Sequence, residues 1–413
     1  MTTYSRAIEA LGAGDRVVVM PGVESTPNTL WFRVPGEQFP KTLGHFNFWP
    51  LTSSPSLPRG GAPIDERLEP GALMDAIEPL WADLRGRVRQ MNHPFSAAKL
   101  GRDEGFLRVI GYDPRAPLNG SSFAAEVMRR RPGGGHRNLD FDIQEVMTGA
   151  SRRLWLRGRM LWFSLLNEGI AKAGTANSDS HDLATDVIGY PRNLVAGGHS
   201  VAGFQRERFN EDVKVGRLIG TNGPVLEVDL VDPANAEGQP MTPALTPVSP
   251  AVDAVLRARL TVLPWIPVSE LRVIVNGAVA LTVPVGFDDG RDPFGGERSL
   301  VIERPLGPLL AGVDGDAWLL VEAGLPLPRL ADLDQDGIPD TSDNNGDGDV
   351  DDVDRGDHEE DSALPDPGPV PATDARFHLQ AIAPGTWPYA FSNPFLLDRD
   401  GGGWQPRVAS RRP

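Results

Sequence analysis

The 413-residue chain has no cysteine. Thiolate metal sites, cysteine nucleophiles and disulfides are thereby excluded, and any bound metal has to be held by His, Asp, Glu or backbone oxygen. This absence chooses no redox compartment. No apolar run approaches the roughly 20 residues of a membrane-spanning helix. The first fifteen residues, MTTYSRAIEALGAGD, lack a basic segment followed by an apolar core, so no secretory signal is read there. Basic character is also sparse, with 40 Lys and Arg against 56 Asp and Glu. Fourteen of those acids lie between Asp332 and Asp361 beside a single arginine, which leaves about −3 of the net −16 for the rest of the chain. No broad basic surface follows, and nucleic acid is not an expected partner.

What is present is a loop-rich globular composition: 40% hydrophobic residues, 46 Gly and 39 Pro. The length suits two or three domains. Ser5 to Leu11 reads as a short helix and Arg16 to Met20 (RVVVM) as a buried strand ending in Pro21-Gly22-Val23-Glu24. Glu24 then sits just past a strand's C-terminal end, where an α/β barrel places functional groups; the competing reading is a solvated loop carboxylate. Lys41 to Leu51 is an aromatic strand holding His45. Arg67 to Gln90 has helical apolar spacing, and Gln90 to Pro94 is a short strand ending at His93. Phe141 to Met147 reads as a strand and Leu154 to Asn167 as a helix. Four strand–helix alternations predict a parallel α/β organisation.

The stretch GTANSDSH, Gly174 to His181, closes this part. On an extended backbone Asp179 and His181, two positions apart, face the same way and can aim a carboxylate and an imidazole at one point. With His45 and His93 at inferred strand ends and Glu24 beside them, these residues predict a metal centre; hydrogen-bonded structural histidines are the alternative.

From about Asn210 the texture changes to short strands: Val213 to Leu218, Val225 to Val231, Ala258 to Leu263, Glu270 to Val275, Ala278 to Val283, Ser299 to Glu303 and Ala317 to Val321. Asn276-Gly277 between two alternating runs is a hairpin signal. A β-sandwich-like domain is expected, closed by Arg376 to Ala381 and Asn393 to Leu397. The expected division is 1–209, 210–330, an acidic insert at 331–362, and closing strands with a tail at 363–413. In the insert, oxygen side chains fall at alternate loop positions, Asp332, Asp334, Asp336, Asp340 and Asp343 around Gly337. The pattern restarts from Asp343 with Asn345, Asp347, Asp351 and Asp354 around Gly348. Hard oxygen ligands with a glycine at the sharp turn suit Ca2+, whereas an acidic linker is the plainer reading. The tandem resembles thrombospondin type 3-like calcium repeats, which implies structural calcium and an extracellular or periplasmic protein.

Pro21-Gly22-Val23-Glu24, Gly44-His45-Phe46-Asn47, Asn92-His93-Pro94 and Asn177 to His181 resemble successive motifs of the PHP superfamily of metal-dependent phosphoesterases. Phe141 to Gly149, Trp162 to Gly169 and Tyr190 to Asn193 are similar to its CehA/McbA-like branch, as are Gly220 to Pro224 and Phe391 to Pro394 further on. The resemblance implies a distorted (β/α)7 barrel whose His/Asp/Glu cluster holds divalent Mn, Zn or Fe. It implies Glu24, His45, His93, Asp179 and His181 as ligands, and hydrolysis of a small-molecule phosphoester or related ester by a metal-activated water. Arg192 would clamp an anionic substrate, and Asn92 or Asn167 would orient a ligand or the substrate. Members of the family begin with an H-x-H motif, and no histidine precedes Glu24 here. The expectation is therefore a barrel lacking its first strands, with a translation start further upstream. The rival is a catalytically inactive extracellular protein, calcium-stabilised, with a binding or structural role.

Overall fold

In His45-Phe-Asn-Phe-Trp49 the residues alternate, and so does their burial: Phe46 and Phe48 are buried while the odd positions are half-buried. The computed structural model, which describes residues 10–26, 43–51, 68–81, 85–94, 105–112, 118, 122–149, 152–181, 188–233, 240–287, 296–326 and 387–406, makes this segment strand β2 of a five-stranded sheet. Its order is β1 (Val23–Ser25), β2 (His45–Trp49), β3 (Val88–Asn92), β4 (Ile143–Thr148), β5 (Ala173–Asn177). The first three strands pair antiparallel and only β3, β4 and β5 are parallel. The expected parallel α/β organisation is thus present only from β3 to β5, within a mixed sheet. A helix between two strands permits a parallel crossover but does not impose one. Among the described residues, β1 and β5 are not paired with each other.

One face of this sheet is the apolar one. Phe46, Phe48 and Met91 pack with α1 (Pro70–Ile77), Trp81, α2 (Phe106–Val109) and α3 (Phe123–Arg129) in a buried cluster that reaches Leu161 and Leu165 of α4 (Arg152–Asn167). Helix α4 lies close on β4 because Gly158 has no side chain: a Cβ there would stand 2.3 Å from the Val146 carbonyl oxygen. The opposite face carries the polar residues, and its lower end is covered by Val213 of α5 (Arg206–Lys214) against Val88, Ile143 and Ala173.

Arg16 to Met20 forms no strand, and Val17, Val18 and Val19 are exposed. Among the described residues the run has no strand partner; the chain pairs with β2 only from Val23 onward. Similarly, Val213 to Leu218 is the end of α5, a turn, and the start of β7 (Leu218–Thr221) rather than a strand.

The second half is a sandwich. Strands β8 (Val225–Val231), β10 (Val255–Val262) and β13 (Arg298–Pro305) form one sheet. The other runs β12 (Ala278–Phe287), β11 (Val268–Val275), β14 (Ala317–Gly324), β15 (Tyr389–Ser392), β7 and β6 (Arg192–Val195), with β16 (Phe395–Leu397) between β14 and β9 (Ala244–Val248). Strand β10 turns Leu256, Ala258, Leu260 and Val262 inward and Arg257 and Arg259 outward, the period-two pattern of a strand with one wet face. Asn276 and Gly277, both at positive φ, make the hairpin turn between β11 and β12. Strand β14 is buried throughout. Leu319, Val321 and Ala323 enter the sandwich core, while Trp318 and Leu320 meet Trp155, Trp162 and Phe163 of α4. On that second face Glu322 is buried between Arg159, whose Nε lies 2.6 Å away, and Arg272 at 3.3 Å.

Strand β6 precedes residue 209 yet belongs to the larger sheet. Two asparagine amides join that sheet to the edge of β5 that carries no strand among the described residues. Gly174 N–H donates to Asn393 Oδ1 at 2.7 Å and its carbonyl accepts from Asn393 Nδ2 at 3.0 Å. Asn193 repeats the exchange at Ala176, at 2.8 and 2.9 Å. A primary amide offers the same donor and acceptor as a peptide group, so the open edge is satisfied without another strand. The acidic stretch from Asp332 to Asp354 and the strand expected at Arg376 to Ala381 lie outside the described residues. No helix among the described residues is long and apolar enough to cross a membrane.

Candidate metal centre

Strand register decides which side chains meet. Glu24 is opposite Asn47, Asn47 opposite Gln90, and His45 opposite Asn92. Directly opposed residues share a face, so Glu24, His45, Gln90 and Asn92 all lie on the polar side of the sheet. His93 follows at the end of β3. The potential ligand atoms of Glu24, His45 and His93 all lie within 4.8 Å of one another, a group that could hold a metal ion.

The Glu24 carboxylate meets His45 Nδ1 at 3.1 Å and accepts from Asn92 Nδ2 at 3.0 Å. The His45 hydrogen bond, helped by that of Asn92, outweighs partial burial and holds Glu24 down at about 2, so it is anionic. The two imidazoles meet edge to face, with centroids 4.7 Å apart. Burial, then the neighbouring His45 charge, lowers His93 below the ordinary histidine range and keeps it neutral. Among the described residues its Nδ1 is buried without a hydrogen-bond partner. An orphaned buried nitrogen is costly unless something fills it, and a neutral imidazole beside a carboxylate has the chemistry of a transition-metal ligand.

The backbone is constrained here too. His93 has φ of 22° and Asp179 of 48°, in a region that side chains with a Cβ rarely occupy. His93 N–H donates to Glu145 Oε2 at 2.6 Å, which pins the strained residue. Glu145 is buried on β4, on the same face. Its desolvation outweighs its hydrogen bonds to His93, Thr148 and Asn177 and pushes its carboxyl up to about 8, with the Asp179 charge adding to the rise.

A chain of hydrogen bonds orients Glu24 from behind. Gln90 Nε2 donates to Asn92 Oδ1 at 2.8 Å, which turns the Asn92 NH2 group toward Glu24. Thr175 Oγ1 reaches Gln90 Oε1, Asn177 Nδ2 donates to Thr175 Oγ1 at 3.1 Å, and Asn193 Nδ2 donates to Asn177 Oδ1 at 3.2 Å.

Of the residues singled out in the sequence, Glu24, His45 and His93 come together, with Asn92 behind them. Asp179 acts electrostatically on both His93 and Glu145. His181 does not join the group. Strand β5 ends at Asn177, so the period-two argument fails at the positive φ of Asp179. The His181 side chain is 74% exposed, and its Nδ1 meets the Asp179 backbone carbonyl at 2.7 Å. Arg192 is exposed at the start of β6 and donates to the Gly189 carbonyl at 3.3 Å. Asn167 accepts from Trp318 Nε1 at 2.8 Å, across the junction of α4 with β14. The nine candidate calcium ligands from Asp332 to Asp354 lie outside the described residues. Glu145 and Gln90 were missed; a glutamate within the strand-like Phe141 to Met147 run (FDIQEVM) was the available signal.

A second group that could hold an ion is Asp316, Asp398 and Asp400. Asp316 accepts from the backbone N–H of Arg399 and of Gln405 at 2.8 and 2.7 Å. Asp398 accepts from Gly401 and Gly403 at 2.8 and 3.0 Å, and Asp400 from Gly402 at 2.8 Å.

No protein-family model, curated protein or solved structure matches the chain.

Proposed function

We propose that the protein is a metal-dependent hydrolase of the PHP phosphoesterase type, acting on a phosphoester or related ester. The observation that carries this reading is the unpartnered, buried His93 Nδ1 beside His45 and an anionic Glu24. Two imidazoles with a carboxylate favour Mn, Zn or Fe over calcium, which takes oxygen ligands. Such an ion supplies a Lewis acid and a bound water of lowered pKa. The chain's own contribution is positional. Glu24 is oriented by Asn92 and Gln90, His93 by Glu145, and Asp179 is the further carboxylate beside them.

The test is metal content of the purified full chain, together with Mn2+- or Zn2+-dependent hydrolysis of bis(4-nitrophenyl) phosphate. Transition metal retained by the wild type, with turnover abolished in Asp179→Ala, is the expected result. Retention of calcium alone would sink the proposal.

For the acidic stretch we propose structural Ca2+ and, with it, an extracellular or periplasmic setting. Support comes from the repeated oxygen-ligand spacing from Asp332 and again from Asp343. Calorimetric titration of the full chain with Ca2+ should lose its heat in the Asp336→Asn, Asp347→Asn double variant.

A further inference from the structure

A cavity of about 670 Å3 opens on the polar face of the first sheet, and Glu24 lines it. Met20, Trp49, Phe204 and Phe209 supply apolar wall, and no lysine or arginine lines it among the described residues. It therefore suits an uncharged organic group better than a second phosphate. The imidazole on its wall is His199.

His199 is held as a functional imidazole would be. Its Nε2 lies 3.0 Å from Asp212 Oδ2, and Arg217 Nη1 donates to the other Asp212 oxygen at 3.0 Å. Both His199 and Asp212 are largely buried, and the His199 ring packs edge-on to Phe209 at 5.2 Å. Gly197 makes room for the pair. A Cβ there would stand 2.9 Å from Asp212 Oδ2 and 3.1 Å from His199 Nε2, and its φ of +108° disfavours any side chain. With Nε2 committed to the carboxylate, Nδ1 is the ring nitrogen left for a ligand. Gln90 and Asn177, also on the wall, are committed to the hydrogen-bond chain behind Glu24.

We propose that this cavity holds the departing part of the substrate and that His199, oriented by Asp212, protonates its oxygen as it leaves. The inference rests on the hydrolase reading above. The water oxygen bonds to the phosphorus or acyl carbon, and the bond to the departing oxygen breaks with its electron pair going to that oxygen. The oxygen takes the Nδ1 proton of the imidazolium. The attacking water's surplus proton goes to solvent, from which the ring is reprotonated, so ester and water give acid and alcohol. A purely structural pair would tie the loop at 197–204 to α5 and have no preference among leaving groups.

The test compares diphenyl phosphate with bis(4-nitrophenyl) phosphate on the Mn2+-loaded full chain, in the wild type, His199→Gln and Asp212→Asn. Phenoxide is a poor leaving group that needs the proton, whereas 4-nitrophenoxide leaves without it. Loss of general-acid catalysis is worth about 100-fold or more. His199→Gln should therefore cut kcat for the phenyl ester by about that factor, and kcat for the nitrophenyl ester by only a few-fold. Equal losses on both esters would overturn the inference. Calorimetric binding of 4-nitrophenol to the metal-free full chain separates the two proposals. Binding weakened at least ~5-fold in His199→Gln supports the cavity assignment even where no ester turns over, and the hydrolase reading alone then falls. Binding that ignores the substitution counts against His199 even where turnover persists.

Discussion

Among the described residues, two side-chain clusters could each hold an ion, and they are built in opposite ways. In the Asp316, Asp398 and Asp400 cluster the carboxylates accept from backbone N–H groups, which staple the loop at 398–405 to the start of β14. In the Glu24, His45 and His93 cluster the backbone gives little. The donors to Glu24 are side chains, His93 Nδ1 has no partner, and two residues nearby hold positive φ. The first cluster has its hydrogen-bond needs met by the fold. The second is left incomplete and strained, and unmet polar groups of that kind point to a ligand.

The sharpest way to break this comparison is to remove a ligand from each side. His93→Ala should weaken transition-metal binding by more than about 100-fold, beyond the 10- to 100-fold typical of supporting residues. Asp316→Ala should leave binding unchanged. Metal analysis after dialysis reads both, and equal losses would erase the distinction.

A second test is the pH dependence of the metal-free chain. Burial raises Glu145 to about 8 from 4.5, so above pH ~4.5 the folded chain binds a proton that the unfolded chain releases. Its contribution is full below about pH 4.5, declines as pH rises, and is lost through pH 8. The whole change is on the order of 4–5 kcal/mol. Urea unfolding at pH 5 and pH 8.5 with chelator should show this slope, and Glu145→Gln should flatten it.

Asp316→Ala, neutral for metal, should instead cost about 2–4 kcal/mol of stability, because the N–H groups of Arg399 and Gln405 lose their acceptor. Thermal unfolding checks this. The smallest effect is expected for Asn92→Ala, which removes one of the two hydrogen bonds to Glu24 and should weaken metal binding by about 10-fold. An unchanged affinity would show that the polar chain behind Glu24 does not orient it.

The alternation in His45 to Trp49, the hairpin at Asn276-Gly277 and the long amphipathic helix before Asn167 were legible because local spacing dictates them. Arg16 to Met20 misled because an apolar run becomes a strand only where a partner edge exists. Asp179 and His181 misled because their shared direction required an extended backbone, which ends at Asn177. Glu145 was hidden because its role depends on the His93 backbone N–H, contributed by a neighbouring strand. The His199 and Asp212 pair was equally hidden, since its ring lies in a loop and its carboxylate on α5.

By itself the sequence determined the available chemistry: no thiolate, a few histidines each beside a strand-like run, and carboxylates in oxygen-ligand spacing. Only the tertiary structure decided which of these share a point. Residue type and backbone period are local properties, whereas strand register, burial and the loss of hydrogen-bond partners arise when distant segments pack. That packing grouped Glu24 and His45 with His93, turned His181 out to solvent, and put Glu145 beneath the site.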